Sequence, residues 1–264
     1  MKKPLILIAL VSVLSLFLSN AAFAQARWNP FEASWFIGCR VWSPVSETLS
    51  LGQISDLVID QSNDRIALII LSDVPGFGAE RVAVPYGSVV RTGASNFQLR
   101  IPSSKIGFGT PGDLYLNKYG NAMAPGVLPA VIDSSWVANL YKQYQQVPYW
   151  TEKGEQPLMG FYRSRKLMGA EVQSLQGKML REIQGLVIDP ADGRLVFLVL
   201  SHESGKCAVP FDLLSRKDEH TFVLNVTPGK LAATPSFNRY EDLNNRAYAT
   251  NVYRYFGVQP FWTE

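Results

Sequence analysis

Two cysteines, two histidines and two pairs of aspartates are the residues whose chemistry would announce a function. Cys39 and Cys207 stand 168 positions apart with no C-x-x-C spacing, so a redox-active thiol pair is not indicated. His202 and His220 sit in the polar stretches SHESGK and KDEHT. Neither has a helical i, i+4 partner, and both read as loop residues rather than metal ligands. Asp60 with Asp64, and Asp189 with Asp192, raise calcium as a ligand. The spacing differs between the pairs and no bidentate glutamate completes the loop, so turn formation accounts for them. The glycine run GFGTPG (Gly107 to Gly112) lacks the Lys-Ser/Thr ending of a phosphate loop. No nucleophile elbow is present. The sequence therefore assigns no catalytic, cofactor-binding or metal-binding residue, and a non-enzymatic protein is expected. An enzyme assembled from Asp60, Arg65 and their counterparts is the weakest reading, because a hairpin explains those residues more simply.

Aromatic residues are the other candidates. Tyr149-Trp150 and Phe261-Trp262 each follow a proline, Pro148 or Pro260. Large rings at such positions either fold back as covers for apolar strands or form a partner-binding surface. All four are kept as candidate partner-binding residues.

Composition sets the frame. The 264-residue chain is 47% hydrophobic and 18% charged, which permits a buried core and argues against global disorder. It opens MKKPLILIALVSVLSLFLSNAAFAQA: a basic start, an apolar run and small residues at Ala22 and Ala24. That is the pattern of a secretory signal peptide cut near Ala24, which predicts a periplasmic product. Cleavage removes Lys2 and Lys3, lowering the 25 basic residues to 23 against 22 acidic ones; no nucleic-acid footprint remains. No later apolar run approaches eighteen residues, so no transmembrane segment is expected after cleavage. Export also permits disulfides. Cys39 and Cys207 become a candidate disulfide, worth roughly 5 kcal/mol in the chain-entropy model, with two buried free thiols as the competing reading.

These residues are positioned by a duplicated set of elements. GQISDLVIDQSNDRIALIILS (Gly52 to Ser72) and REIQGLVIDPADGRLVFLVLS (Arg181 to Ser201) share one apolar skeleton at an offset of 129. Gly38 and Val41 match Gly169 and Val172, and VAVPY matches CAVPF. Internal repetition at this scale means a structural unit made twice. Each copy predicts five strands: one through Gly38–Val41 or Gly169–Val172, a second ending at Ile59 or Ile188, a third, RIALIIL or RLVFLVL, a fourth before Pro85 or Pro210, and a fifth, NFQLRI or TFVLNV. The third strand is apolar on both faces and must be covered on both. The cover is expected from the other repeat or from the aromatic tails, which are also duplicated. NLYKQYQQVPYW (139–150) matches NVYRYFGVQPFW (251–262), each after a helical stretch, DSSWVANLYKQY or YEDLNNRAYATNVYRYF.

This pattern resembles the PRC-barrel family. The resemblance rests on Gly38 with Val41, GQISDLVID, RIALIIL and VAVPYGSVV, and on Gly169, Val172, GLVIDPADGRLVFLVL and AVPFDLL. It covers roughly Ser34 to Ile101 and Ser164 to Val226. The second copy departs in carrying Arg181 where the first has Gly52. The resemblance implies a mainly β protein of two tandem small antiparallel barrels, each followed by a short helix and a Pro-aromatic-Trp segment. The expected layout is signal peptide 1–24, first barrel 34–112, helix and linker 113–160, second barrel 161–232 and C-terminal helix 233–264. The family implies an adaptor or assembly module without universal catalytic residues. The expected function is a periplasmic interaction or scaffolding module with an envelope protein as partner. The alternative is a binding protein for a small apolar ligand held between the repeats.

Overall fold

The computed structural model describes residues 30–43, 46–75, 77–93, 95–100, 127–152, 154–218 and 221–263. The expected signal peptide, His220 and the GFGTPG run lie outside them.

The first repeat contributes β1 (Phe31–Glu32), β2 (Arg40–Ser43), β3 (Ser46–Asp60), β4 (Arg65–Ser72), β5 (Val82–Pro85), β6 (Val89–Arg91) and β7 (Asn96–Leu99). The second contributes β8 (Phe161–Arg163), β9 (Glu171–Ser174), β10 (Met179–Ile188), β11 (Leu195–His202), β12 (Gly205–Pro210), β13 (Leu214–Arg216) and β14 (Phe222–Leu224), with β15 (Ser236–Phe237) after it. The main strand orders are β5-β4-β3-β2-β7-β6 and β13-β14-β9-β10-β11-β12-β15. The chain is thus mainly β, two small barrels in tandem. One feature differs from an all-antiparallel barrel: β2 runs parallel to β7 and β9 runs parallel to β14.

The curl of the two sheets is written at the same places. β3 shifts register against β4 between Ile54 and Asp56 and again between Val58 and Ile59. β10 does so against β11 at the equivalent Ile183/Gly185 and Val187/Ile188. Bulges bend and twist the strand that carries them, which lets so short a sheet wrap. Gly52 is needed for a related reason. Its φ is +132° and an added Cβ would stand 2.7 Å from the Ser72 carbonyl oxygen. The second repeat turns earlier instead, with Gly177 at φ +79° between β9 and β10.

The doubly apolar strands are covered on both faces. Every residue from Ile66 to Leu71 and from Leu195 to Leu200 is at most 2% exposed. Part of the cover is helical: α1 (Ser134–Gln143), capped by the Asp133 side chain, which accepts from Trp136 N, and α4 (Arg246–Phe256). Between them come the short α2 (Ser164–Leu167) and α3 (Pro228–Ala232). The stretch expected as one helix over 240–256 is divided. Tyr240–Asn244 is a 3-10 turn, and Asn245 then caps α4 by accepting from Ala247 and Tyr248. An Asn side chain competes for backbone donors and so sets the boundary.

Tyr141 on α1 donates its hydroxyl to the Ala67 carbonyl at 2.9 Å, and Tyr253 on α4 donates to the Val196 carbonyl at 2.8 Å. The two tyrosines and their two acceptors are equivalent positions of the two repeats. Each helix is therefore pinned to the third strand of its own barrel.

The barrels also exchange their leading strands. β1 pairs with β10 of the second barrel, and β8 pairs with β3 of the first. Glu32 and Arg163 are the matching positions, facing Val187 and Val58 respectively. No helix among the described residues is long and apolar enough to cross a membrane.

Candidate functional site

The charged residues gather where the barrels meet. The turns after β3 and β10 face one another: Arg65 and Arg194 form an antiparallel bridge, Ile66 N donates to the Gly193 carbonyl at 2.9 Å, and Leu195 N donates to the Asp64 carbonyl at 2.7 Å. The guanidinium groups are drawn together by one acid from the linker. Glu155 Oε1 accepts from Arg65 at 2.7 Å and from Arg194 at 2.6 Å. Asp192 and Glu152 add weaker ion pairs to Arg65 at 3.5 and 3.7 Å.

A second cluster secures the exchanged strand. Asp56, fully buried, accepts from Ser164 Oγ at 2.7 Å and from the Leu57 amide at 2.8 Å, and it is ion-paired to Arg163 at 2.6 Å. In the second barrel the equivalent of Asp56 is Gly185, and the Tyr240 hydroxyl occupies the space a side chain would need, 2.5 Å from an added Cβ. The two junctions share geometry and differ in chemistry.

The aspartates considered for calcium make turns. Asp60 Oδ1 accepts from Ser62 N and Asp189 Oδ1 from Ala191 N, both at 2.9 Å, and Asp192 Oδ1 accepts from Arg194 N at 3.0 Å. Asp60 is also fully buried, its Oδ2 accepting from Tyr149 Oη at 2.9 Å and Asn63 Nδ2 at 2.7 Å. Asp64 takes a left-handed conformation, φ 50°. Burial, helped by the negative charges of Asp212, Asp60 and Glu155, raises its pKa to about 7 against the pull of Arg194.

The four candidate partner-binding rings pack inward to different degrees. Tyr149 is buried, with the Arg65 guanidinium over its ring at 5.2 Å. Trp150, Phe261 and Trp262 are half-buried. Tyr141 meets Trp150 edge-on at 4.6 Å, and Tyr253 meets Trp262 at 4.7 Å. Arg194 lies over Phe261 at 4.9 Å, repeating the Arg65–Tyr149 contact. Among the described residues the most exposed aromatic is one the sequence pattern did not single out, Trp35, 55% exposed, with Ile37 also exposed. Nothing in its local spacing distinguishes it from a core ring.

The expected Cys39–Cys207 disulfide does not form. Both cysteines are free and buried. Cys39 lies just before β2 with its thiol on the Trp35 carbonyl at 2.8 Å, whereas Cys207 pairs across the second barrel with Leu200 and Ser236. Burial raises the Cys39 thiol above its ordinary range and takes that of Cys207 to about 11. His202 contacts Ser204 Oγ through Nδ1 at 3.0 Å and the Ala232 carbonyl through Nε2 at 3.3 Å. Among the described residues no cluster of three metal-ligating side chains occurs.

One cavity of about 350 Å³ opens between the first barrel, its aromatic clamp and the Pro190–Asp192 turn of the second. Buried Phe36, Tyr86, Phe97 and Tyr149 line it together with Arg91 and Arg100.

A pair of short curled sheets, bulged at matching positions and joined through exchanged leading strands, defines a duplicated small-barrel protein. The PRC-barrel domain model matches residues 32–106 and 159–231, more than half of the chain, and the protein belongs to that family. No curated protein matches the chain.

Proposed function

We propose that the protein is a non-enzymatic interaction or scaffolding module of the periplasm, recognising an envelope protein. The observation that carries this reading is the contrast between its charged and its apolar surfaces. The buried acids and their arginines hold the two barrels together, which leaves them structural work. The Trp35–Ile37 tip, by contrast, presents two large apolar side chains to solvent. Tryptophan is one of the residue types enriched among the side chains that anchor protein contacts. Asp60 and Arg65, first in line for an enzymatic reading, are both buried in the junction.

The test is a photo-crosslinking residue placed at position 35 in intact cells, with the exposed Lys142 as control. A discrete adduct at 35 and none at 142 supports the module; adducts at neither, or equally at both, count against it.

The second reading, a small apolar ligand between the repeats, finds no room on the third strands, whose outer faces are filled. The cavity where the first barrel meets the Pro190–Asp192 turn of the second carries arginines among its lining residues.

A further inference from the structure

Trp42 is a large ring on the outer face of its strand. β2 reads Arg40, Val41, Trp42, Ser43 with Val41 and Ser43 buried, and β7 reads Asn96, Phe97, Gln98, Leu99 with Phe97 and Leu99 buried. The two strands run parallel, with Arg40 beside Asn96 and Trp42 beside Gln98, so the period of two puts all four on the outer face. There Trp42, Asn96 and Gln98, with Thr92 from the turn before β7, line a separate cavity of about 320 Å³. Among the described residues no ionisable side chain lines it. Arg40, on the same face, contacts Ser50 Oγ at 3.5 Å instead. The second barrel keeps the strand pairing and not the chemistry. Gln173 stands at the position of Trp42, Val223 at that of Gln98 and Thr221 at that of Asn96.

We infer that this outer cavity binds an uncharged saccharide, one pyranose ring lying against the Trp42 indole. Each lining group suits a different part of a sugar. An indole offers a flat apolar face, which matches the face of axial C–H groups on a gluco-configured ring. The Trp42 Nε1–H donates to Asn96 Oδ1 at 3.2 Å, and Gln98 Nε2 donates to the Ser43 carbonyl at 3.4 Å. These contacts orient both amides. Asn96 Nδ2 is left as a donor and Gln98 Oε1 as an acceptor, neither with a partner among the described residues. Two positions apart on one strand face, they complement adjacent sugar hydroxyls, one accepting and the other donating. The Thr92 hydroxyl donates to the Asn96 carbonyl at 3.4 Å and keeps its lone pairs for a third hydroxyl. A charged ligand would lose water here without an ionic partner in return, whereas a sugar exchanges its water for matched donors and acceptors. A volume of about 320 Å³ lies at the small end of ligand sites. The site shares no residue with the inter-barrel junction or the Trp35–Ile37 tip, and it stands apart from the scaffolding reading.

The experiment is an NMR titration of the nitrogen-15-labelled full chain with cellobiose, using sorbitol as an open-chain counterpart that has the hydroxyls and no ring face. The Trp42 indole N–H and the Asn96 side-chain amide are expected to shift and saturate at millimolar cellobiose and to stay in place with sorbitol. Trp42→Gln and Gln98→Val each install the residue that the second barrel carries at that position, so the fold has a precedent for both. Trp42→Gln is expected to weaken cellobiose about ten-fold or more, through loss of the stacking face. Gln98→Val is expected to weaken it about three- to ten-fold, through loss of one hydrogen bond. Cellotetraose binding more tightly than cellobiose would assign the site to a glycan chain, and equal binding to a free or terminal sugar; both support the inference. No saturable shift at millimolar cellobiose, equal shifts with sorbitol, or cellobiose binding untouched by both substitutions would each overturn it.

Discussion

Arg65 and Arg194, the same position in the two repeats, face each other across a β-bridge and share the single carboxylate of Glu155. Two guanidinium groups so close repel unless an acid lies between them. The Arg65 and Glu155 side chains are each only 8% exposed, so water screens this contact poorly. Removing one partner of a buried ion pair leaves the other uncompensated. Glu155→Gln should lower stability by about 2–4 kcal/mol, seen as a lower urea midpoint with an unchanged slope.

Asp64 should make stability fall as pH rises. Its folded-state pKa of about 7 lies above the ordinary value of 3.8, so ionisation is resisted by the fold. The penalty is absent below about pH 4, grows toward pH 7 and is complete above it. Asp64→Asn keeps a residue that tolerates the left-handed backbone and removes the charge. The variant should be more stable than the parent by roughly 1–3 kcal/mol at about pH 8 and equal to it near pH 4. Denaturant unfolding at the two pH values checks this; a parent protein that gains stability across that range contradicts it.

Tyr141→Phe and Tyr253→Phe each delete one buried hydrogen bond and leave the ring contacts in place. Each should cost about 1 kcal/mol. The two losses should agree within experimental error and add in the double variant, because the sites belong to separate barrels. Amide exchange would locate the loosened region at α1 in one case and α4 in the other.

Splitting the chain at residues 157/158 should give fragments that fold only together. The first fragment retains Asp56 but loses Ser164 and Arg163. If it paired with itself, Glu32 would take the Arg163 position and face Asp56, two acids in one buried seat. The second fragment paired with itself would bring Arg163 to Gly185, where no carboxylate waits. Each fragment alone should elute as an expanded monomer or aggregate, and an equimolar mixture as a 1:1 complex. A stable dimer of the first fragment alone would contradict the assignment of Asp56.

Much of the fold is legible in the residue pattern, because the signals are local and written twice. RIALIIL and RLVFLVL are apolar on both faces and are covered on both; the hairpin turns hold Asp60 and Asp189 as turn formers; DSS caps α1. The leading strands were not legible: Phe31–Glu32 and Phe161–Arg163 are too short to carry a period, and their pairing partner lies in the other repeat. β6 and β13, three residues each, escaped for the same reason. The disulfide expectation failed because compartment and count say nothing of distance, and the two thiols sit in different barrels. Among the site residues, the role of Asp56 was invisible, since its partners stand more than a hundred positions downstream.

The exchange of leading strands also limits how far the architecture can extend. Each barrel has one seat for a borrowed strand, on β3 and on β10, and both are taken. A third copy joined to either end would find no vacancy and could offer its own leader to no one. Solenoids lengthen by stacking one more unit on an open face; this chain, by reciprocating, ends its series at two.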